Sequence, residues 1–76
     1  MIAEHERVAL LRDVPEQGLE AGDVGTVVHV YKGGKAFEVE FVALSGQTVL
    51  VATLPAASVR SVTNREIPHA RALAAV

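Results

Sequence analysis

The chain of 76 residues has no cysteine and no tryptophan, and its aromatic residues are one tyrosine and two phenylalanines. Without cysteine it can form neither a disulfide framework nor a thiolate metal site, so the fold must rely on packing or on a partner. Seven Lys and Arg stand against nine Asp and Glu, which leaves no dense basic face for nucleic acid. The composition thus favours one small domain and argues against nucleic acid as its partner.

Long hydrophobic runs are also missing, because no segment approaches the ~18 consecutive apolar residues of a membrane-spanning helix. The N-terminus carries Glu4 and Glu6 where a secretory signal would carry a basic and then an apolar region. Half of the residues are apolar, which is enough for one hydrophobic core. We therefore expect a single cytoplasmic domain with no membrane partner.

The apolar residues that are present recur with period two in short runs between Gly, Pro and Asp clusters, which predicts strands joined by turns. Five strands are expected, at residues 7–11, 26–31, 36–42, 48–53 and 59–62. Residues 4–11 would also fit a short helix, but no capping residue precedes them and Pro15 favours extended geometry just before it. One 3₁₀ turn is expected at residues 55–58.

The third of these runs has the clearest alternation. Phe37, Val39 and Phe41 share one face, and Glu38 and Glu40 share the other. Two carboxylates on one strand face lie about 7 Å apart, a spacing that would also fit a catalytic pair. Nothing in the sequence would desolvate one of them and raise its pKa, so we interpret this as a half-buried strand with a solvated outer side.

The loop between the first two strands is rich in glycine and acidic residues. Leu19 and Ala21 are spaced to reach the core, so an ordered loop is expected. Residues 22–25 are expected to form a tight turn in which glycine supplies the positive φ. Tight hairpins are expected at residues 32–35 and 43–47.

This layout predicts an all-β fold, a small five-stranded SH3-like barrel spanning residues 1–62. Closing the sheet into a barrel would remove the exposed edges that an open sheet of this size would have. Residues 63–76 are expected to form a C-terminal tail, with a short docked helix as one arrangement, because so short a helix is marginal in water unless it packs.

Several segments taken together resemble a small bacterial family, the domain of unknown function 4926. They are Arg7-Val8-Ala9-Leu10, Asp13-Val14-Pro15, Gly18-Leu19, Gly22-Asp23-Val24-Gly25-Thr26-Val27-Val28 and Glu38-Val39-Glu40-Phe41. The resemblance covers roughly residues 6–62. It implies an SH3-like β-barrel and brings no catalytic motif.

A looser resemblance, to the KOW motif of ribosomal and transcription-associated barrels, lies in Gly22-Asp23-x-Gly25-x-Val27. It implies a nucleic-acid-binding barrel as the alternative function. RNA-binding KOW segments are basic around this turn, whereas here Glu16 and Glu20 precede it. The cationic candidates for such a function are Arg7, Arg12, Lys32, Lys35 and Arg60.

Motifs for catalysis or metal binding are weak. His5, His29 and His69 are 24 and 40 residues apart and lack the close pairing of zinc motifs, so neither a metal nor a cofactor is predicted. The serines have no histidine and acid in a triad-like arrangement, and a barrel this small is filled by its own side chains. We therefore expect no enzymatic activity and no small-molecule substrate.

The remaining signal is a surplus of apolar surface. The second and fourth strands are apolar on both faces, while a closed barrel buries only one, so Val49 and Val51 are predicted to contact a partner. Glu16, Glu20 and Asp23 would present negative charge to a basic protein. The sequence thus predicts a protein-interaction module with an accessory, regulatory or neutralising role, or self-association into a dimer or higher oligomer.

One alternative to a partner remains open, in which the tail itself covers the apolar surface through Leu73, Val76 and the alanines near them.

Overall fold

The computed structural model describes residues 1–73 of the chain. Its strands are β1 (Arg7–Leu10), β2 (Val24–Val30), β3 (Ala36–Val42), β4 (Thr48–Pro55) and β5 (Val59–Ser61). All of them belong to one antiparallel sheet with the order β4-β3-β2-β1-β5. The predicted all-β, five-stranded class is confirmed. The pairings place β4 and β5 at the two edges of the sheet, and its SH3-like closure into a barrel stays a prediction.

Short 3₁₀ turns join several of the strands, at Pro15–Gln17, Lys32–Gly34 and Ala56–Ser58. The last of these is the turn that the sequence predicts between β4 and β5. The β2–β3 connection needs two glycines, because Gly33 and Gly34 both have positive φ, at 78° and 66°. A side chain at either position would be strained, which explains why Gly-Gly marks this hairpin.

The hydrophobic core lies on one face of the sheet. Phe37, Val39 and Phe41 are buried there, as the alternation predicts. They pack with the buried side chains of Val8, Leu10, Val14, Leu19, Val27, Ala52, Leu54 and Val59.

A β-bulge changes the alternation along β2. The register against β3 shifts between Val27 and His29, so Val28 is the extra residue. Val27 is buried and Val30 packs against the core, while Val28 and His29 are exposed. Val28 and Val30 therefore lie on opposite faces, although strict period-two alternation would place them on one, because a bulge reverses the pattern beyond it.

Gly25 lies within β2 and not in the preceding turn, which corrects the sequence interpretation of residues 22–25. Gly22 supplies the positive φ of the turn, at 94°. At Gly25 the constraint is space, because a Cβ there would lie 2.5 Å from Cγ1 of Val39 and 2.8 Å from the carbonyl oxygen of Glu40. Glycine lets β2 approach β3 at this point.

The C-terminal segment after β5 has no helix or strand within residues 63–73. It returns over the outer face of the sheet, opposite the core, and reaches the loop between β1 and β2. Val76, one of the residues expected to cover apolar surface, lies outside the described residues. Among residues 1–73, no helix has the length and apolar character needed to cross a membrane.

Candidate interaction surface

The loop between β1 and β2, residues 11–23, is held in place by backbone hydrogen bonds. Val14 and Leu19 form an isolated antiparallel bridge, with N···O distances of 2.9 and 3.1 Å. Leu10 at the end of β1 accepts from Gly22 at 2.8 Å and donates to the carbonyl of Asp23 at 2.9 Å. Leu19 is the buried anchor of the loop, as predicted, whereas Ala21 is exposed and does not reach the core.

The three acidic residues predicted to meet a partner occupy different positions on this loop. Glu16 lies on the first 3₁₀ turn and is exposed, as is Glu20. Asp23 is largely covered, with 16% of its side chain exposed. Its carboxylate accepts from the backbone of Glu20 at 2.9 Å and from Arg71 of the tail at 2.8 and 2.6 Å. The most deeply placed acid of the loop is thus bound by an arginine of the same chain.

Arg71 makes further contacts at the same place. Its Nη2 donates to the carbonyl of Gly18 at 3.0 Å, and its Nη1 lies 3.6 Å from the carboxylate of Glu20. The hydrogen bonds between Arg71 and Asp23 lower the pKa of the Asp23 carboxyl and raise that of the guanidinium. Sequence reasoning did not select Arg71. The available signal was its position as the last basic residue, isolated in an alanine-rich tail.

Apolar side chains lie beside this ion pair. A cavity of about 530 Å³ is bounded on one side by Asp23 and by apolar residues of the sheet, and on the other by tail residues 68–73. Its exposed apolar residues on the sheet side are Val24, Val42, Leu44 and Val49. The structure therefore brings predicted residues Asp23 and Val49 to one cavity, which we call the tail groove. Val51 is also exposed but lies farther along β4, outside the groove.

The first half of the tail is held by a second ion pair. Arg60 of β5 donates to Glu66 at 2.7 and 3.0 Å, and Glu66 also accepts from the backbone of Thr63 at 2.9 Å. The contact with Arg60, followed by the Thr63 hydrogen bond, lowers the pKa of Glu66 to about 2. Beyond it, Ile67 is 92% exposed and bounds an open space between the tail and the sheet. Charge holds the tail at two points, with little apolar packing between them.

The other chemical candidates of the sequence remain apart. Glu38 and Glu40 lie on the outer face of β3, where they accept hydrogen bonds from the hydroxyls of Thr53 and Thr48. His29 lies 4.0 Å from Glu4 and edge-on to the Tyr31 ring. In the part of the chain that the structure describes, no three His, Asp or Glu side chains are grouped as a metal site would require.

These features define a class, a small antiparallel β-domain with an acidic loop beside a half-exposed apolar outer face. A scan against protein families matches residues 4–61 to the family Domain of unknown function (DUF4926). The chain belongs to this family, which confirms the resemblance seen in its sequence. Searches of curated proteins and of solved structures gave no match. Arg71 lies outside the matched region, so its contact with Asp23 joins the tail to the family domain.

Proposed function

We propose that this domain is a non-enzymatic protein-interaction module with an accessory, regulatory or neutralising role toward a partner protein. The observation that supports this best is the tail groove, where the carboxylate of Asp23 and the exposed side chain of Val49 line one cavity. Exposed apolar patches on small domains mark interaction sites, and an acidic rim favours encounter with a basic partner.

The edge strand β4 supports association as well. It pairs with β3 on one side, and residues 48–55 contain no charged side chain. Val49 and Val51 are 40% and 48% exposed along it. An unprotected edge strand offers unpaired N–H and C=O groups to another chain. A dimer formed through β4 is therefore part of the proposal.

The nucleic-acid alternative receives less support from the arrangement of charge. The net charge is −2, and Arg60, one of the candidate cations, forms an ion pair with Glu66. A basic face would need several unpaired cations close together. Measuring binding at two salt concentrations tests this alternative, because phosphate contacts produce a steep salt dependence.

The proposal is tested by placing a charge on the apolar surface. Val49→Lys and Val51→Lys are compared with the wild type, and Val28→Lys is the matched control because Val28 is also 40% exposed on the outer face. The readouts are the mass by light scattering and the proteins that the immobilised domain captures from an extract of its native host. We expect the wild type and Val28→Lys to form a dimer or capture a protein that both β4 variants lose, since burying an unpaired charge is costly.

The opposite result is equally clear. A wild-type protein that stays monomeric at high concentration, and that captures nothing lost by Val49→Lys or Val51→Lys, would refute the proposed function. Thermal unfolding of each variant shows whether a loss of binding reflects the surface or a loss of folding.

A further inference from the structure

The way the tail is attached indicates what the tail groove binds. Arg71 is 23% exposed at its side chain, the most covered position among tail residues 63–73, while Ile67 and Leu73 are largely exposed. If apolar burial held the tail, its isoleucine and leucine would be the buried residues. Here the guanidinium of the arginine is covered instead. The groove therefore recognises the arginine more than the rest of the segment.

The acceptors around Arg71 form a fixed receptor for a guanidinium. The two carboxylate oxygens of Asp23 accept hydrogen bonds from Nε and Nη2 of Arg71, and the carbonyl oxygen of Gly18 accepts a further one from Nη2. Two hydrogen bonds orient Asp23. Its carboxylate accepts from the backbone N–H of Glu20, and its backbone carbonyl accepts from the N–H of Leu10 in β1. A planar guanidinium can satisfy such an arrangement with two parallel hydrogen bonds, whereas a lysine ammonium cannot.

Residues 1–73 leave the apolar part of the groove incompletely filled. Leu44 is 99% exposed beside it, and Leu73, two residues after Arg71, bounds the cavity while 55% of its own surface is exposed. The exposed valines at this end of β2, β3 and β4 face the same space. An extended segment with an arginine and a larger or better placed apolar residue two positions later would bury more of this surface than the tail does.

We propose that the tail groove binds an extended, arginine-bearing segment of a partner protein, and that the chain's own tail occupies this site as an internal competitor. This rests on the proposed interaction function and names both the chemistry of the partner segment and the regulation of the site. A molecule whose own tail occupies the groove cannot bind the partner, so only the molecules with a free groove are available. The apparent affinity for the partner is reduced in proportion to that fraction.

The test uses a fluorescently labelled peptide with the sequence of residues 67–73, Ile-Pro-His-Ala-Arg-Ala-Leu, added to the full-length protein. Arg71→Gln releases the internal arginine, so this variant should bind the peptide about tenfold more tightly than wild type if the tail is closed in about nine tenths of molecules. Peptides with lysine or glutamine in place of arginine should bind at least severalfold more weakly, because they lose the paired hydrogen bonds.

Two further variants locate the binding. Asp23→Asn combined with Arg71→Gln should lose the peptide, because the carboxylate is the main acceptor. Glu38→Gln combined with Arg71→Gln is the matched control, because Glu38 lies on the outer face of β3 and does not line the tail groove, and it should bind as Arg71→Gln does. Backbone amide shifts of Gly18 and Asp23 on adding peptide show directly whether the groove is occupied, and the same spectra show that each variant is folded.

Three results with the peptides would overturn the inference. In the first, the arginine peptide binds neither the wild type nor any variant. In the second, it binds wild type and Arg71→Gln with equal affinity, and in the third, Arg71→Gln binds the arginine and lysine peptides with equal affinity. A wild-type dimer that dissociates on Arg71→Gln would also overturn it, since the occupant would then be the tail of a second copy. The proposed function is decided separately, by whether Val49→Lys and Val51→Lys differ from Val28→Lys.

Discussion

Ser61 at the end of β5 donates a hydrogen bond of 2.6 Å to the carboxylate of Glu6, the residue that precedes β1. The two side chains are 55 positions apart in the chain, and their contact accompanies the antiparallel pairing of Val8 with Ser61. It lowers the pKa of Glu6. The beginning and the end of the family domain are thus joined, and the tail departs from this junction toward the loop between β1 and β2.

The first prediction concerns the hydrophobic core. Phe41→Ala removes a buried ring from β3 and should lower the free energy of unfolding by about 3–5 kcal/mol, a large part of the stability of so small a domain. Glu38→Gln on the outer face of the same strand should change it by less than about 0.5 kcal/mol. Urea unfolding followed by circular dichroism measures both. A larger effect at Glu38 would mean that the two faces of β3 have been exchanged.

Gly25 provides the second prediction. Gly25→Ala should destabilise the domain by about 1–3 kcal/mol, because the added methyl meets Val39 and the backbone of Glu40 and forces β2 away from β3. Val28→Ala in the same strand should cost less than about 0.5 kcal/mol, since that side chain is exposed. Equal unfolding midpoints for the two variants would contradict the close approach of these strands.

Acid should release the tail. The pKa values of Asp23 and Glu66 are depressed below their ordinary values of 3.8 and 4.5, that of Glu66 to about 2. A depressed carboxyl pKa stabilises the folded form above the ordinary value, and this contribution is lost as the pH falls through the folded value. The amide signal of Thr63 and the Nε–H signal of Arg71, whose N–H groups donate to Glu66 and Asp23, should therefore stay constant from neutral pH to just above these ordinary values and change below them. Asp23→Asn should abolish most of the change seen at Arg71, and a midpoint above the ordinary values would refute the assignment.

Salt should distinguish the two attachment points of the tail. The side chains of Arg60 and Glu66 are 48% and 33% exposed, compared with 23% and 16% for Arg71 and Asp23. Because exposed charges are screened most, raising the salt to about 1 M should loosen the tail at Glu66 before it loosens at Arg71. Chemical-shift changes of the Thr63 amide and of the Arg71 Nε–H, which donate to Glu66 and Asp23, report each end. Release of the Arg71 end first would show that the groove holds the tail weakly.

The local periodicity of the sequence accounts for the strands and the direction of β3. Phe37, Val39 and Phe41 are inside because alternate residues of a strand point to opposite faces, a property that needs no tertiary information. The same rule fails along β2, where the bulge at Val28 places Val30 on the core side. A bulge depends on how two strands pair, so the alternation of one strand could not predict it.

The candidate surface divides in the same way. The acidic loop and the surplus of apolar residues are visible in the sequence, and they predict an interaction surface containing Asp23 and Val49. That these two residues line one groove, and that Arg71 occupies it from 48 positions away, follows from the folded chain. No local pattern relates an arginine in a tail to a carboxylate in a distant loop.

The sequence by itself determined the class of the domain, its five strands, its glycine turns, its core strand and its family, because each depends on local periodicity, turn chemistry or a matching pattern of residues. The tertiary structure alone decided the strand order, the close approach of β2 to β3 at Gly25 and the position of the tail. The physical reason is that strand pairing, steric contact and ion pairing act through space, so they join residues whose separation along the chain carries no signal.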